Sequence, residues 1–278
     1  MKNVVFFLIP MLFVSCNKDG NKTPCESKSA LTLCVYSQRT WECMNMPRPA
    51  GSYNYPICPE MEEWKDLKTS DERLEACQVP PCVLEKMSTQ AVVQAIWEWP
   101  SGFGEFLHRD LYLADLESRE KLHNAYIELQ KRKDAGTALF ERLILVDPLA
   151  PQTVFPLSQA LEVLTSKTIY LSQLSNNQKR VIIEVALKND DLRQEYSPPF
   201  SKSYRSTTSL LMGRTLVSIG YAPFVQAIKE NEELKYFVEG WRPHPYNGTI
   251  TTYTYSDYYY GNIPQQITLF ARQFLHKQ

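Results

Sequence analysis

Seven cysteines and four histidines hold much of the chemistry this chain could perform. The cysteines are Cys16, Cys25, Cys34, Cys43, Cys58, Cys77 and Cys82, so all precede residue 83. Structural zinc favours close Cys-x-x-Cys pairs, often completed by histidine. No such pair occurs, and His108, His123, His244 and His276 all follow the last cysteine. The spacing therefore argues for disulfides over metal, provided the chain reaches an oxidising compartment.

The leader says that it does. Met1-Lys2-Asn3 is a short basic start, Val4 to Val14 is almost continuously apolar, and Ser15-Cys16 closes the run. That order is the grammar of a secretory signal peptide. The run is too short to span a bilayer, which needs roughly 20 apolar residues. Leu12-Phe13-Val14-Ser15-Cys16 resembles a bacterial lipoprotein signal, with Ser15 and Val14 fitting and Phe13 standing where leucine is usual. The resemblance implies that Cys16 is lipidated (diacylglycerol plus a palmitate-like acyl chain) and becomes the new N-terminus. More than one fatty chain gives lasting attachment without a membrane span. Asn17 in place of aspartate favours the outer membrane, with the fold facing the periplasm or cell surface. Residues 17–24 are polar and turn-rich, a tether.

With Cys16 lipidated, Cys25, Cys34, Cys43, Cys58, Cys77 and Cys82 are the disulfide candidates. A two-residue turn at Gln38-Arg39 would set Cys34 opposite Cys43 on adjacent short strands. Gln-Arg is a poor pair for such a turn. Cys77 and Cys82 flank Gln78-Val79-Pro80-Pro81, a bend that could join them. One or two buried thiols remain an alternative.

Other motifs are fragments. His108-Arg109-Asp110-Leu111 matches the start of the kinase loop H-R-D-L-x-x-x-N, but Asp115 occupies the asparagine position and no Asp-Phe-Gly follows. Phosphoryl transfer is mostly positioning of phosphate and metal, so a lone base accomplishes little. Gly102-Phe103-Gly104 lacks the third glycine of a phosphate loop. His-Glu-x-x-His and Gly-x-Ser-x-Gly are absent. No catalytic residue, metal or cofactor is implied. The net charge of −1, with both signs interspersed, gives no basic footprint for nucleic acid.

An aromatic binding surface is the prospect that remains beside plain packing. Trp241, Arg242, His244 and Tyr246 share a proline-stiffened loop, and Tyr253 and Tyr255 would lie on one face of a following strand. Stiff aromatic and arginine side chains make good anchors for a protein or glycan. The plainer reading, which the residue pattern favours, packs one face of that strand on the helices and leaves the other wet.

The elements around these residues read as follows. Residues 1–15 are the signal, 16–24 the lipidated tether, 25–59 a cysteine-rich strand and loop segment, and 60–278 a helical domain with a hairpin at 248–261. Thr69 to Glu72 fits a capping box, Pro80-Pro81 suits a helix start, and Ser88 caps 89–98. The clearest helix is expected over 117–131, where Leu122, Ala125, Tyr126 and Leu129 form an apolar stripe. On that helix His123 falls on the polar edge. Asp134 should cap the next, with Arg142 the polar member of its stripe. Further helices are expected near 157–164, 176–188, 209–219, 223–230, 232–238 and 264–275.

Arg73-Leu74-Glu75-Ala76-Cys77-Gln78-Val79-Pro80, with Leu84, Met87-Ser88-Thr89, Val93 and Trp99-Pro100, resembles a mostly helical bacterial protein family of unassigned function. Lys131 to Gly136 and Leu174 to Gln178 are similar to its helix junctions. The resemblance spans about residues 60–220 and transfers no site residue. The expected class is mainly α: an irregular antiparallel bundle or repeat-like stack, with a small stapled N-terminal β segment. The expected role is an envelope binding or scaffold module, with a hydrolase whose site converges only in three dimensions as the alternative.

Overall fold

The computed structural model describes residues 47–100, 121–147, 155–196, 201–240 and 262–276. Among them the chain is mainly helical and forms no strand. The helices are α1 (Glu62–Asp66), α2 (Ser70–Ala76), α3 (Pro81–Leu84), α4 (Thr89–Trp97), α5 (Asn124–Lys131), α6 (Ala135–Leu143) and α7 (Phe155–Thr165). They continue with α8 (Thr168–Leu171), α9 (Asn176–Tyr196), α10 (Ser201–Ile219), α11 (Ala222–Glu230), α12 (Glu232–Gly240) and α13 (Ile263–His276). The leader, Cys16, Cys25, Cys34, Cys43 and the expected hairpin at 248–261 lie outside the described residues. Residues 47–59, expected to be strand and loop, contain no strand.

Local chemistry sets several boundaries where the residues required. The Thr69 hydroxyl accepts from the Glu72 amide, and the Glu72 carboxylate accepts from the Thr69 amide at 3.1 Å. These reciprocal bonds satisfy two amides that a helix start leaves without partners. They also hold the Glu72 carboxyl below its ordinary range, mainly through the backbone amides of Thr69 and Lys68. Pro81 opens α3 and the Ser88 hydroxyl caps α4. At the other end of the chain, Gly220 takes φ +78° after α10, and the Tyr221 amide reaches back to the Leu216 carbonyl at 3.0 Å. Glycine alone enters that left-handed conformation without steric cost.

Two buried helices organise the packing. In α4 every residue except half-buried Gln90 is buried, and the helix packs on α5 and α6. The centre of the second group is α10, which touches α7, α9, α12 and α13. Between them α6 meets α7 and α8 closely: an added Cβ at Gly136 would overlap the Tyr170 carbonyl oxygen. One continuous apolar core runs from Tyr55 through Leu139 and Leu210 to Phe274.

Three expectations change. Of the helix expected over 117–131, residues 117–120 lie outside the described residues, 121–123 are non-helical, and a helix runs from Asn124. Asn124 is fixed by another segment: its side-chain amide donates to the Val79 carbonyl at 2.6 Å, and its carbonyl accepts from the Val79 amide at 3.1 Å. Gln78 braces the same join, accepting from the Asn124 amide and donating to the Leu122 carbonyl, both at 2.9 Å. These long-range bonds override the local stripe, so Leu122 is exposed and His123 faces the core. Asp134 precedes α6 without capping it and instead accepts from the Thr89 hydroxyl at 2.7 Å. Finally, the Cys77–Cys82 bridge does not form. Cys77 ends α2 as a thiol sealed in the core, whereas Cys82 is exposed across the Pro80-Pro81 turn.

Candidate functional site

His123 sits where four segments meet, and its ring is fully buried. Its Nε2 lies 2.9 Å from the Cys77 carbonyl and 3.1 Å from the Tyr55 hydroxyl. That hydroxyl donates to the Ala95 carbonyl at 2.8 Å. A carbonyl can only accept, so the bonding assigns the proton of the neutral ring to Nε2. Nδ1 is then a bare acceptor, and it has no hydrogen-bond partner among the described residues. Trp99 stacks on the ring at 4.6 Å between centroids, and Tyr126 meets it edge-on at 6.1 Å.

Two effects oppose each other at this imidazole. An indole face attracts a cation by about 0.5–2 kcal/mol. Burial disfavours the charged form, by several pKa units when complete. Burial wins: it lowers the His123 pKa to about 4, with the Cys77 carbonyl pulling weakly the other way. The neighbouring phenols shift in the matching sense. Burial, aided by Cys77, pushes Tyr53 up to about 12 and Tyr55 well above its ordinary value. Both phenols therefore stay neutral throughout the acid and neutral range.

A charged layer lies beside this aromatic one. Glu98, at the end of α4, is buried and held by Arg48, with Nε and Nη2 donating at 2.9 and 2.8 Å. Arg48 also donates to the Tyr53 carbonyl at 2.9 Å. Arg142 is buried as its stripe required, donating to the Gln94 side chain at 2.7 Å and the Pro47 carbonyl at 3.0 Å. Burial lowers its pKa to about 10 and Glu98 partly restores it, so the guanidinium is charged at neutral pH. Two arginines thereby tie residues 47–55 to α4 and α6.

The second polar cluster lies between α7, α9 and α10. Glu162 is buried and accepts from the Thr207 hydroxyl at 2.6 Å and the Thr208 hydroxyl at 3.0 Å. Asp190 is buried beside Arg205, with Nε 3.4 Å from its carboxylate, and accepts from Gln194 at 2.8 Å. The Thr165 and Ser209 hydroxyls are buried nearby in the chain without a hydrogen-bond partner. Sequence reasoning missed this cluster, because the helix was expected to start at 209 and actually starts at Ser201. Thr207 and Thr208 are buried because Glu162, 45 and 46 residues earlier, accepts from both.

The remaining candidates divide simply. Trp241, Arg242, His244, Tyr246, Tyr253 and Tyr255 lie outside the described residues, as do His108, Arg109 and Asp110. Among the described residues no three His, Cys, Asp or Glu side chains converge as a metal site, and no helix is long and apolar enough to cross a membrane. An open groove of about 450 Å³ runs between α9 and α13, lined by Leu187, Leu192 and Leu275 and crossed by an Arg272–Asp191 ion pair at 2.5 Å. The chain matches no protein-family model, no curated protein and no solved structure.

Proposed function

We propose that this chain is an exported lipoprotein, anchored through Cys16, that acts as a binding or scaffold module at the cell envelope. The apolar leader ending at Cys16 supports the anchor. The disulfide-bonded state of Cys58 and Cys82 supports an oxidising location. The observation that carries the scaffold reading is the use made of buried polar groups. Arg48–Glu98, Arg142–Gln94, Asn124–Val79 and Glu162 with Thr207 and Thr208 each join one segment to another. Their chemistry holds helices in place, as a rigid platform requires. The ligand is a protein or glycan taken by Trp241, Arg242, His244, Tyr246, Tyr253 and Tyr255, the residues with the best anchor chemistry in the sequence.

A cell-envelope hydrolase is the second reading. It would require two carboxylates sharing one cleft with raised pKa values. The buried carboxylates Glu98, Glu162 and Asp190 lie on α4 or its cap, α7 and α9, and their hydrogen bonds go to Arg48, threonine hydroxyls and Gln194.

Replacing Cys16 with serine and fractionating cells tests the anchor. The expected result is transfer of the protein from membrane to soluble fraction; retention in the membrane contradicts it. Trp241→Ala with Tyr255→Ala should then abolish capture of envelope ligand by the otherwise folded protein. Undiminished capture would reject this aromatic surface.

A further inference from the structure

We propose that His123 is an acid-sensitive lock, which closes residues 47–59 and α2 onto α4 and α5 while neutral and releases them when protonated. The geometry carries this. One ring touches the Tyr55 hydroxyl, the Cys77 carbonyl, the Trp99 face and the Tyr126 edge, so it contacts every segment of that corner. The neutral ring satisfies its one N–H on Cys77. Protonation adds a second N–H at Nδ1, an atom already buried without a hydrogen-bond partner. Among the described residues the new donor has no acceptor to meet, and the charge lies among aromatic faces. Opening the corner to water removes both penalties at once.

Among the described residues, the groups facing the ring supply no counter-charge. From residues 47–59 they are Tyr55 and, behind it, Tyr53. From α2 it is Cys77, and from α5 it is Tyr126. At the end of α4, Glu98 acts on Tyr55 and is paired with Arg48. Both phenols with shifted pKa values are raised, so neither titrates in the acid range. Burial is accordingly the leading cause of the His123 shift, from 6.5 to about 4. The lock is fully closed above pH 6.5 and weakens as pH falls toward 4. By proton linkage the open-to-closed ratio of this corner rises about 30-fold between pH 7.5 and 5.

Hydrogen exchange of the full chain, corrected for intrinsic pH dependence, reads that ratio segment by segment. Protection within 70–99 and 121–131 should fall about 30-fold from pH 7.5 to 5, while protection within α9, α10 and α13 changes far less. The His123→Gln variant keeps a neutral donor for the Cys77 carbonyl and should lose the selective acid response. Equal protection of both regions at both pH values would overturn the proposal, as would an unchanged acid response in His123→Gln. If that variant does not fold, imidazole resonances of the wild-type chain decide. The lock requires one imidazole still neutral at pH 5, and its absence overturns the proposal.

Discussion

The corner around His123 and the seam around Glu162 solve one problem in opposite ways. Each buries a titratable side chain between helices. At His123 the shell is aromatic and offers a single carbonyl to the ring, so the group persists only in its neutral form. At Glu162 the shell is hydroxylic, with Thr207 and Thr208 both donating to the carboxylate. Hydroxyls can turn toward a buried carboxylate, and an indole face offers it no donor of that kind. The comparison teaches that what a buried titratable group can do is set by the chemistry of its shell, not by burial alone.

The largest expected mutational effect is on the charged layer beside the first region. Arg48→Ala leaves Glu98 buried with its guanidinium bonds removed, and should cost about 3 kcal/mol in urea unfolding. A cost below about 1 kcal/mol would show that the pair behaves as a solvated surface pair. In the second region, Glu162→Leu removes the acceptor of two buried hydroxyls and should cost about 2–3 kcal/mol. Glu162→Gln keeps an acceptor and should cost less than Glu162→Leu. Equal costs would mean that the hydroxyl shell does not matter. The smallest effect is outside both regions: Thr69→Ala breaks the capping box of α2 and should cost about 1 kcal/mol.

Legibility in the sequence followed the reach of the interactions. The Thr69 box, the Pro81 start, the Ser88 cap and the stripe of α6 are settled within a few residues, and each was readable. The mainly helical class followed from those periodicities. His123 was misread because its orientation depends on Gln78, Val79 and Asn124, about 45 residues apart in the chain. The α10 hydroxyls went unread for the same reason: Thr207 and Thr208 gain their role only when a distant carboxylate is brought against them. The cysteine bend failed on geometry: flanking two prolines does not align two side chains, and Cys77 points inward where Cys82 points out.

The comparison turns most directly on stability against pH, measured by urea unfolding of the full chain from pH 7.5 to 4. The folded His123 pKa lies below its ordinary value, so its stabilising contribution is complete above pH 6.5 and is lost as pH falls toward about 4. The slope is about 1.4 kcal/mol per pH unit, and the total about 3 kcal/mol. Wild type should lose that amount more than His123→Gln over the interval. Identical pH profiles for the two proteins would contradict the account.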